Sequence, residues 1–166
     1  MKKLLTILLV FCTAAVARAD QAFIISLDGL QETPPVITPG SGSGTAFYDS
    51  TLGTISLSIS FSGLVAPATL AHIHTNVPGL PGPVVLDLAP ITTFGVTSGS
   101  ISGTLPFPGP HVANLLADKA YVNIHTGFAP GGEIRGQLIA VPEPTTVVFV
   151  GLGITTLVFG LRRRRA

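Results

Sequence analysis

Apolar and polar residues alternate along several short stretches of the chain. The clearest is residues 54–62, where every second position is apolar: Ile55, Leu57, Ile59 and Phe61. Successive side chains of a β-strand point to opposite faces, so a period of two over nine residues indicates a strand and not a helix. One face of this strand is apolar and the other is rich in serine, which predicts an antiparallel sheet with one face buried and one in water.

Seven further stretches show a weaker alternation: 22–30, 44–49, 69–75, 84–89, 100–105, 120–126 and 133–140. Glycine and proline lie between them, which is typical of the turns of a β protein. Residues 110–118 are the exception, because Pro110 suits the first helical position and Val112, Leu115 and Leu116 share one helical face. We therefore predict an all-β fold, an antiparallel Greek-key-like β-sandwich of about eight strands with one short helix.

The two ends of the chain carry long apolar runs beside basic residues. At the start, Lys2 and Lys3 precede an apolar stretch that ends in the small-x-small pattern of Ala17 and Ala19. This order predicts a signal peptide, residues 1–19, that signal peptidase removes. An uncleaved membrane anchor is the alternative.

At the other end, residues 145–161 are uncharged and run directly into Arg162, Arg163, Arg164 and Arg165. As a helix this segment would be about 25 Å long, on the short side for a bilayer core, and the arginines would stay cytoplasmic. We predict a C-terminal transmembrane helix, with a buried core helix as the alternative. Residues 20–141 would then form a single domain on the exported side of the membrane, followed by a tail of residues 142–166.

Composition changes once these ends are set aside. The whole chain is 46% hydrophobic with a net charge of +1, but residues 20–141 contain seven acidic and only two basic residues. The high hydrophobic content and low net charge of the chain exclude intrinsic disorder and a basic nucleic-acid binder. The only cysteine of the whole sequence, Cys12, falls in the predicted signal peptide, so the domain has no disulfide and no thiol nucleophile.

Three histidines have a spacing that suits a metal site. His72 and His74 are two apart and leave one face of their predicted strand, and His125 shares a face with Tyr121 and Asn123. If the two strands pair or face each other, the three imidazoles converge into a Zn²⁺ or Cu²⁺ site with an open position. Alternatively, these histidines only hydrogen-bond to loop backbone and carboxylates, in which case the domain has no cofactor.

Arg135 is one of the two basic residues of the domain, two positions after Glu133. Its expected partner is a carboxylate, Glu32 or Glu133, in a bidentate structural pair that joins the start of the domain to its last strand. A catalytic site is not indicated. The serines of residues 41–44 lie in a predicted flexible Gly/Ser loop, not in a nucleophile elbow, and no phosphate-binding glycine loop precedes a helix. We expect no enzymatic activity.

The tail resembles a known sorting signal. Pro142, Glu143 and Pro144, then an apolar span, then an arginine cluster at the C-terminus are similar to the PEP-CTERM tail of Gram-negative bacteria. The resemblance implies that an exosortase, a membrane transpeptidase-like protease, recognises Pro142 to Pro144 and that the arginines act as a retention signal. It also implies release toward the cell surface or an exopolysaccharide matrix.

The domain itself resembles the CHRD family, named from the repeats of chordin. Three blocks carry the resemblance: 27–36, 71–75, and 120–126 together with 130–138. The family implies an extracellular all-β module without established enzymatic activity. The His-x-His pattern also resembles Cu/Zn superoxide dismutases over a few residues, without their disulfide cysteines or zinc-loop histidines.

These observations predict an exported protein, anchored in the inner membrane with its domain in the periplasm and later moved to the surface or matrix. We expect a noncatalytic structural, adhesive or ligand-binding component whose partners are signal peptidase, exosortase and extracellular polysaccharide, with no nucleic acid. The alternative is a Zn- or Cu-binding β-sandwich, or a metalloenzyme, that uses His72, His74 and His125.

Overall fold

A computed structural model describes residues 20–142 of the chain; the predicted signal peptide and membrane span lie outside this range. The described residues form nine strands: β1 (Gln21–Asp28), β2 (Ser41–Asp49), β3 (Thr54–Ser62), β4 (Ala68–Thr75), β5 (Val84–Asp87), β6 (Gly99–Pro106), β7 (Ala120–Thr126), β8 (Ile134–Gln137) and β9 (Ile139–Ala140). One short helix, α1 (Val112–Leu115), follows a 3₁₀ turn at Gly109–His111. Within residues 20–142, no helix has the length and hydropathy that a membrane crossing requires.

All the strand pairs are antiparallel and belong to one sheet, in the order β5-β4-β7-β8-β1-β2-β3-β6, with β9 beside β1. The predicted all-β antiparallel fold with one short helix is thus confirmed. The predicted strand at 133–140 is divided into β8 and β9, because the Leu138 N–H donates to the Ala120 carbonyl of β7.

The sheet curls until its two ends approach each other across residues 88–97. On one side of this segment, Leu88 N–H donates to the Ala71 carbonyl of β4, and the Val96 carbonyl accepts from Ala68 N–H. On its other side, Thr93 N–H donates to the Ser100 carbonyl of β6. The segment therefore closes the curl and covers the core from one side.

The core lies inside the curl, where the apolar faces of both halves of the sheet meet. Its fully buried side chains include residues of six strands and of α1: Phe23, Leu27, Ile55, Ile59, Ile73, Ile101, Leu115, Ile124 and Ile134. Burying one such side chain contributes about 1.5–3 kcal/mol, so the apolar positions of the alternating strands are the main source of stability.

The start of β2 departs from the prediction. Residues 41–44 are paired in register with β1 and β3, so the prediction of a flexible Gly/Ser loop there is wrong. A Cβ at Gly44 would collide with the backbone carbonyl of Ser58, and one at Gly42 would lie 2.8 Å from the Leu27 side chain. These glycines allow β1, β2 and β3 to pack closely. A prediction from local composition alone takes such glycines as a sign of flexibility.

Candidate metal centre

The candidate site lies on β4 and β7, which pair side by side. Their register places Leu70 opposite His125, His72 opposite Asn123 and His74 opposite Tyr121. Directly opposed residues of an antiparallel pair project to the same face of the sheet. The polar side chains therefore share one face, and the fully buried apolar residues of these strands, Ala71, Ile73, Val122 and Ile124, point into the core.

The three histidines predicted from the sequence converge. Nδ1 of His72 lies 3.2 Å from Nε2 of His125, and the candidate ligand atoms of all three side chains lie within 4.8 Å of one another. In a tetrahedral zinc site with Zn–N bonds of about 2.0–2.1 Å, neighbouring nitrogens are about 3.3 Å apart. The His72–His125 pair already has this spacing, and His74 needs only a small approach.

Two backbone carbonyls fix the orientation of the rings. Nδ1–H of His74 donates to the Gly82 carbonyl at 2.9 Å, and Nδ1–H of His125 donates to the Pro130 carbonyl at 3.0 Å. A carbonyl can only accept, so in both rings Nε2 must carry the free lone pair. Nε2 of His74 is buried and has no hydrogen-bond partner among the described residues.

Burial sets the charge of these imidazoles. His74 and His125 are each 8% exposed, and removal from water lowers the pKa of both side chains. The neighbouring His72 also lowers both pKa values, since two positive rings would repel each other. Both rings are therefore neutral at neutral pH, the form that binds a metal ion.

The side chains of Tyr121 and Arg135 form a stack against one face of the His74 ring. The Tyr121 ring lies parallel to the His74 ring, with centroids 5.0 Å apart, and the Arg135 guanidinium carbon lies 3.4 Å from the Tyr121 ring centroid. The Tyr121 hydroxyl accepts from Gly82 N–H, so the residue that orients His74 is itself held by Tyr121. The His74 ring is therefore held between its hydrogen bond to Gly82 and the Tyr121 ring, which lies against Arg135.

The predicted ion pair of Arg135 is not formed. Arg135 donates to the carbonyls of Leu80, at 3.0 Å, and Val77, at 3.5 Å, in the loop between β4 and β5. Glu133, fully buried, accepts instead from Thr38, Thr126 and the backbone of Val65. The expectation failed because the pairing rule considers opposite charges alone, whereas buried loop carbonyls and hydroxyls also need partners.

Glu32 lies near Arg135 but is not hydrogen-bonded to it. Burial raises the pKa of Glu32 to about 7, although the positive charge of Arg135 acts in the opposite direction. Its Oε1 and the Oδ1 of Asn123 are both buried without a partner among residues 20–142. Both approach Gly132, whose φ of 134° and lack of space exclude any side chain there.

Two Pro/Gly-rich loops, residues 76–83 and 127–132, cover the site. Hydrogen bonds from the histidines to loop backbone were expected as the alternative to a metal site, and two are present, to the Gly82 and Pro130 carbonyls. The sequence did not indicate which carbonyls would be the partners, because no local pattern marks a carbonyl as a partner. The fourth histidine, His111, lies at α1, outside the cluster.

The sorting residues lie at the edge of the described range or beyond it. Pro142 is the last described residue; Ala17, Ala19, Glu143, Pro144 and Arg162 to Arg165 lie outside it. Backbone pairing with β1 continues to Val141, directly before Pro142 of the sorting motif, because Val141 N–H donates to the Ala22 carbonyl at 2.9 Å.

Comparison with known families agrees with the fold and with both ends of the chain. The model of the CHRD domain matches residues 23–138, and that of the PEP-CTERM protein-sorting motif matches residues 140–165. The chain belongs to the CHRD domain family. It carries an exosortase sorting signal, so it is an exported protein that is anchored in the membrane before sorting. No curated protein and no solved structure matches it significantly.

Proposed function

We propose that the domain is a noncatalytic module that binds one divalent transition-metal ion, zinc or copper, through His72, His74 and His125. The observation that carries this proposal is the buried, unpartnered Nε2 of His74 beside two other imidazole nitrogens. A buried acceptor without a partner costs about 1–3 kcal/mol, and a metal ion bound there removes that cost.

The surroundings support a metal site over a purely structural cluster. Holding the two loops in place requires only the Nδ1 atoms of His74 and His125. Nε2 of His74 is left without a partner, and Nε2 of His125 has only the His72 ring as its partner. In metal sites the second ring nitrogen of a ligating histidine usually donates to a backbone carbonyl or carboxylate, which is the arrangement here. His72 would bind through Nδ1, with its proton on Nε2.

A bound ion would supply a Lewis acid with an open position, because three imidazoles leave at least one coordination site free. We assign it a binding or structural role. Among the described residues, no carboxylate joins the cluster, and Glu133, the most buried acid, is fully occupied by three hydrogen bonds. None of the described carboxylates is therefore placed to act as a general acid or base beside the ion.

The test is elemental analysis and titration of the mature domain after loading with Zn²⁺ or Cu²⁺. We expect one equivalent of metal in the parent protein and loss of tight binding in His74→Ala and His125→Ala. The matched control is His111→Ala, which removes the fourth histidine outside the cluster and should bind like the parent. Substoichiometric metal in the parent protein would refute the proposal.

A second candidate function, contact with extracellular polysaccharide, is favoured by the outer face of β2, β3 and β6. Hydroxyl side chains form cross-strand rows there: Ser43, Ser60 and Ser100 in one row and Thr45, Ser58 and Ser102 in the next. Five of these six residues are exposed. A glycan-binding screen with the parent protein and Ser58→Glu tests it; equal binding by both proteins would exclude this face.

A further inference from the structure

The two ends of the described domain leave the sheet side by side. β1 and β9 are antiparallel, with Phe23 opposite Ala140, and the Gln21 side chain donates to the Val141 carbonyl at 2.8 Å. The N-terminus produced by removal of residues 1–19 therefore lies next to the start of the sorting motif. One end of the sheet carries both membrane-directed segments.

Very little chain separates this end from the apolar segment of the tail. Three residues stand between Val141 and Thr145, where the uncharged stretch begins. Even fully extended, the backbone from residue 141 to residue 145 spans only about 14 Å. Because the precursor is membrane-anchored through this tail, this end of the sheet stays close to the bilayer surface.

An apolar patch occupies the sheet face at this end. We call Ile24, Phe47, Ile139 and Val141 the anchor-side patch; they are 55%, 43%, 42% and 38% exposed. Ile24 lies directly opposite Ile139, and Phe47 opposite Ala22, whose carbonyl accepts from Val141 N–H. The patch is therefore continuous, and it borders a shallow depression of about 300 Å³ that Val141 also lines.

A fifth apolar side chain extends from the same end. Leu52, 73% exposed, lies in the turn between β2 and β3. The neighbouring Ser50 donates its N–H and hydroxyl to Asp20, the first residue of the mature chain. This turn is thus fixed beside the chain ends, and its exposed leucine lies at the side on which the membrane must be.

We propose that the anchor-side patch rests on the lipid interface of the membrane as long as the sorting tail anchors the precursor. The lipid interface accommodates aromatic and aliphatic side chains, and the tether supplies a high effective concentration that such a small patch requires. Cleavage of the tail removes the tether, so the domain leaves the bilayer. The proposal depends on anchoring of the tail and not on the metal site.

The experiment uses the full mature precursor, residues 20–166, in phosphatidylcholine vesicles with brominated acyl chains. The chain has no tryptophan, so a single Phe→Trp change gives an isolated fluorescent reporter. Phe47→Trp reports on the patch. Phe128→Trp is the matched control, since Phe128 is 49% exposed and follows the far end of β7. Flotation of the vesicles confirms that the tail has anchored the protein.

With anchored protein, we expect a blue shift and bromine quenching for Phe47→Trp and neither for Phe128→Trp. Adding Ile24→Glu to Phe47→Trp should abolish both effects, and Ile24 is exposed enough for this change to be tolerated. No quenching at position 47, equal quenching at both positions, or a blue shift without quenching, as burial by a second copy would produce, would each overturn the proposal.

Discussion

Two strands of the same sheet, β3 and β7, bury their side chains in different ways. In β3 buried residues alternate with exposed or half-exposed ones, whereas every residue of β7 is buried. The outer face of β3 is open to water. The outer face of β7 is covered by the loops at 76–83 and 127–132, which are fastened by Arg135 and His125.

This difference shows where specific chemistry can arise in such a fold. On β3 the outward serines are solvated, so their exact positions matter little. On β7 the outward side chains are removed from water, and each must find a partner or remain unsatisfied. The candidate metal centre lies where this demand is unmet, at Nε2 of His74.

The largest loss of stability is expected from removing the Glu133 carboxylate, which joins two loops to β7 on the covered side of the sheet. Glu133→Ala leaves Thr38, Thr126 and the Val65 N–H without their buried acceptor. We expect a loss of about 4 kcal/mol in the free energy of unfolding, measured by urea denaturation. A loss below about 1 kcal/mol would show that water replaces the carboxylate. This side of the sheet would then be less protected from water than its burial indicates.

On the open side of the sheet, the stability of the fold should be sensitive to added side-chain volume where β2 and β3 lie close together. Gly44→Ala introduces a Cβ against the Ser58 carbonyl and should cost about 3 kcal/mol. Gly127→Ala is the control, because a Cβ at Gly127 meets nothing within 4 Å. Equal stabilities of the two variants in urea would mean that residues 41–44 are a loop after all.

The covered half should also show a distinctive pH dependence. Burial raises the pKa of Glu32 to about 7 from 4.5, so the folded state holds a proton that the unfolded state releases, and stability is lost as pH rises between these values. Glu32→Gln removes this loss and should be more stable relative to the parent at pH 8 than at pH 5.

His74 and His125 make stability depend on pH in the opposite direction. Their pKa values are lowered in the folded state, so the stability they contribute is present above pH 6.5 and is lost as pH falls below it. Glu32→Gln should therefore keep the acid-side loss of stability. Parallel pH profiles for the parent and Glu32→Gln would contradict the pKa assigned to Glu32.

The smallest effect is expected on the solvated face of β3. Ser58 is exposed and lies between Thr45 and Ser102. Ser58→Ala should change the free energy of unfolding by less than about 0.5 kcal/mol. A cost above about 1 kcal/mol in the same urea assay would show that the outer faces of β3 and β7 differ less than their burial indicates.

The sequence predicted the open half of the sheet better than the covered half. The bounds of β3 were predicted to the residue, because one wet face and one buried face produce a strict period of two. The start of β2 was missed, since Gly42 and Gly44 are there for close strand contact and not for flexibility.

For the candidate site, strand periodicity placed His72 and His74 on one face of a strand. Their convergence with His125 depended on the pairing of β4 with β7, which the sequence left open and the structure shows. The partners of Arg135 and Glu133 were not predictable in this way. They are loop carbonyls, hydroxyls and a backbone N–H distant in sequence, and local patterns carry no information about which loop covers which face.

X-ray absorption spectroscopy of the zinc- or copper-loaded protein tests the candidate metal centre most directly. We expect a first shell that contains three imidazole nitrogens at about 2.0–2.1 Å for zinc, and fewer in His74→Ala. A first shell without imidazole scattering, or one unchanged by His74→Ala, would contradict the central claim that the covered face of β4 and β7 is a metal centre.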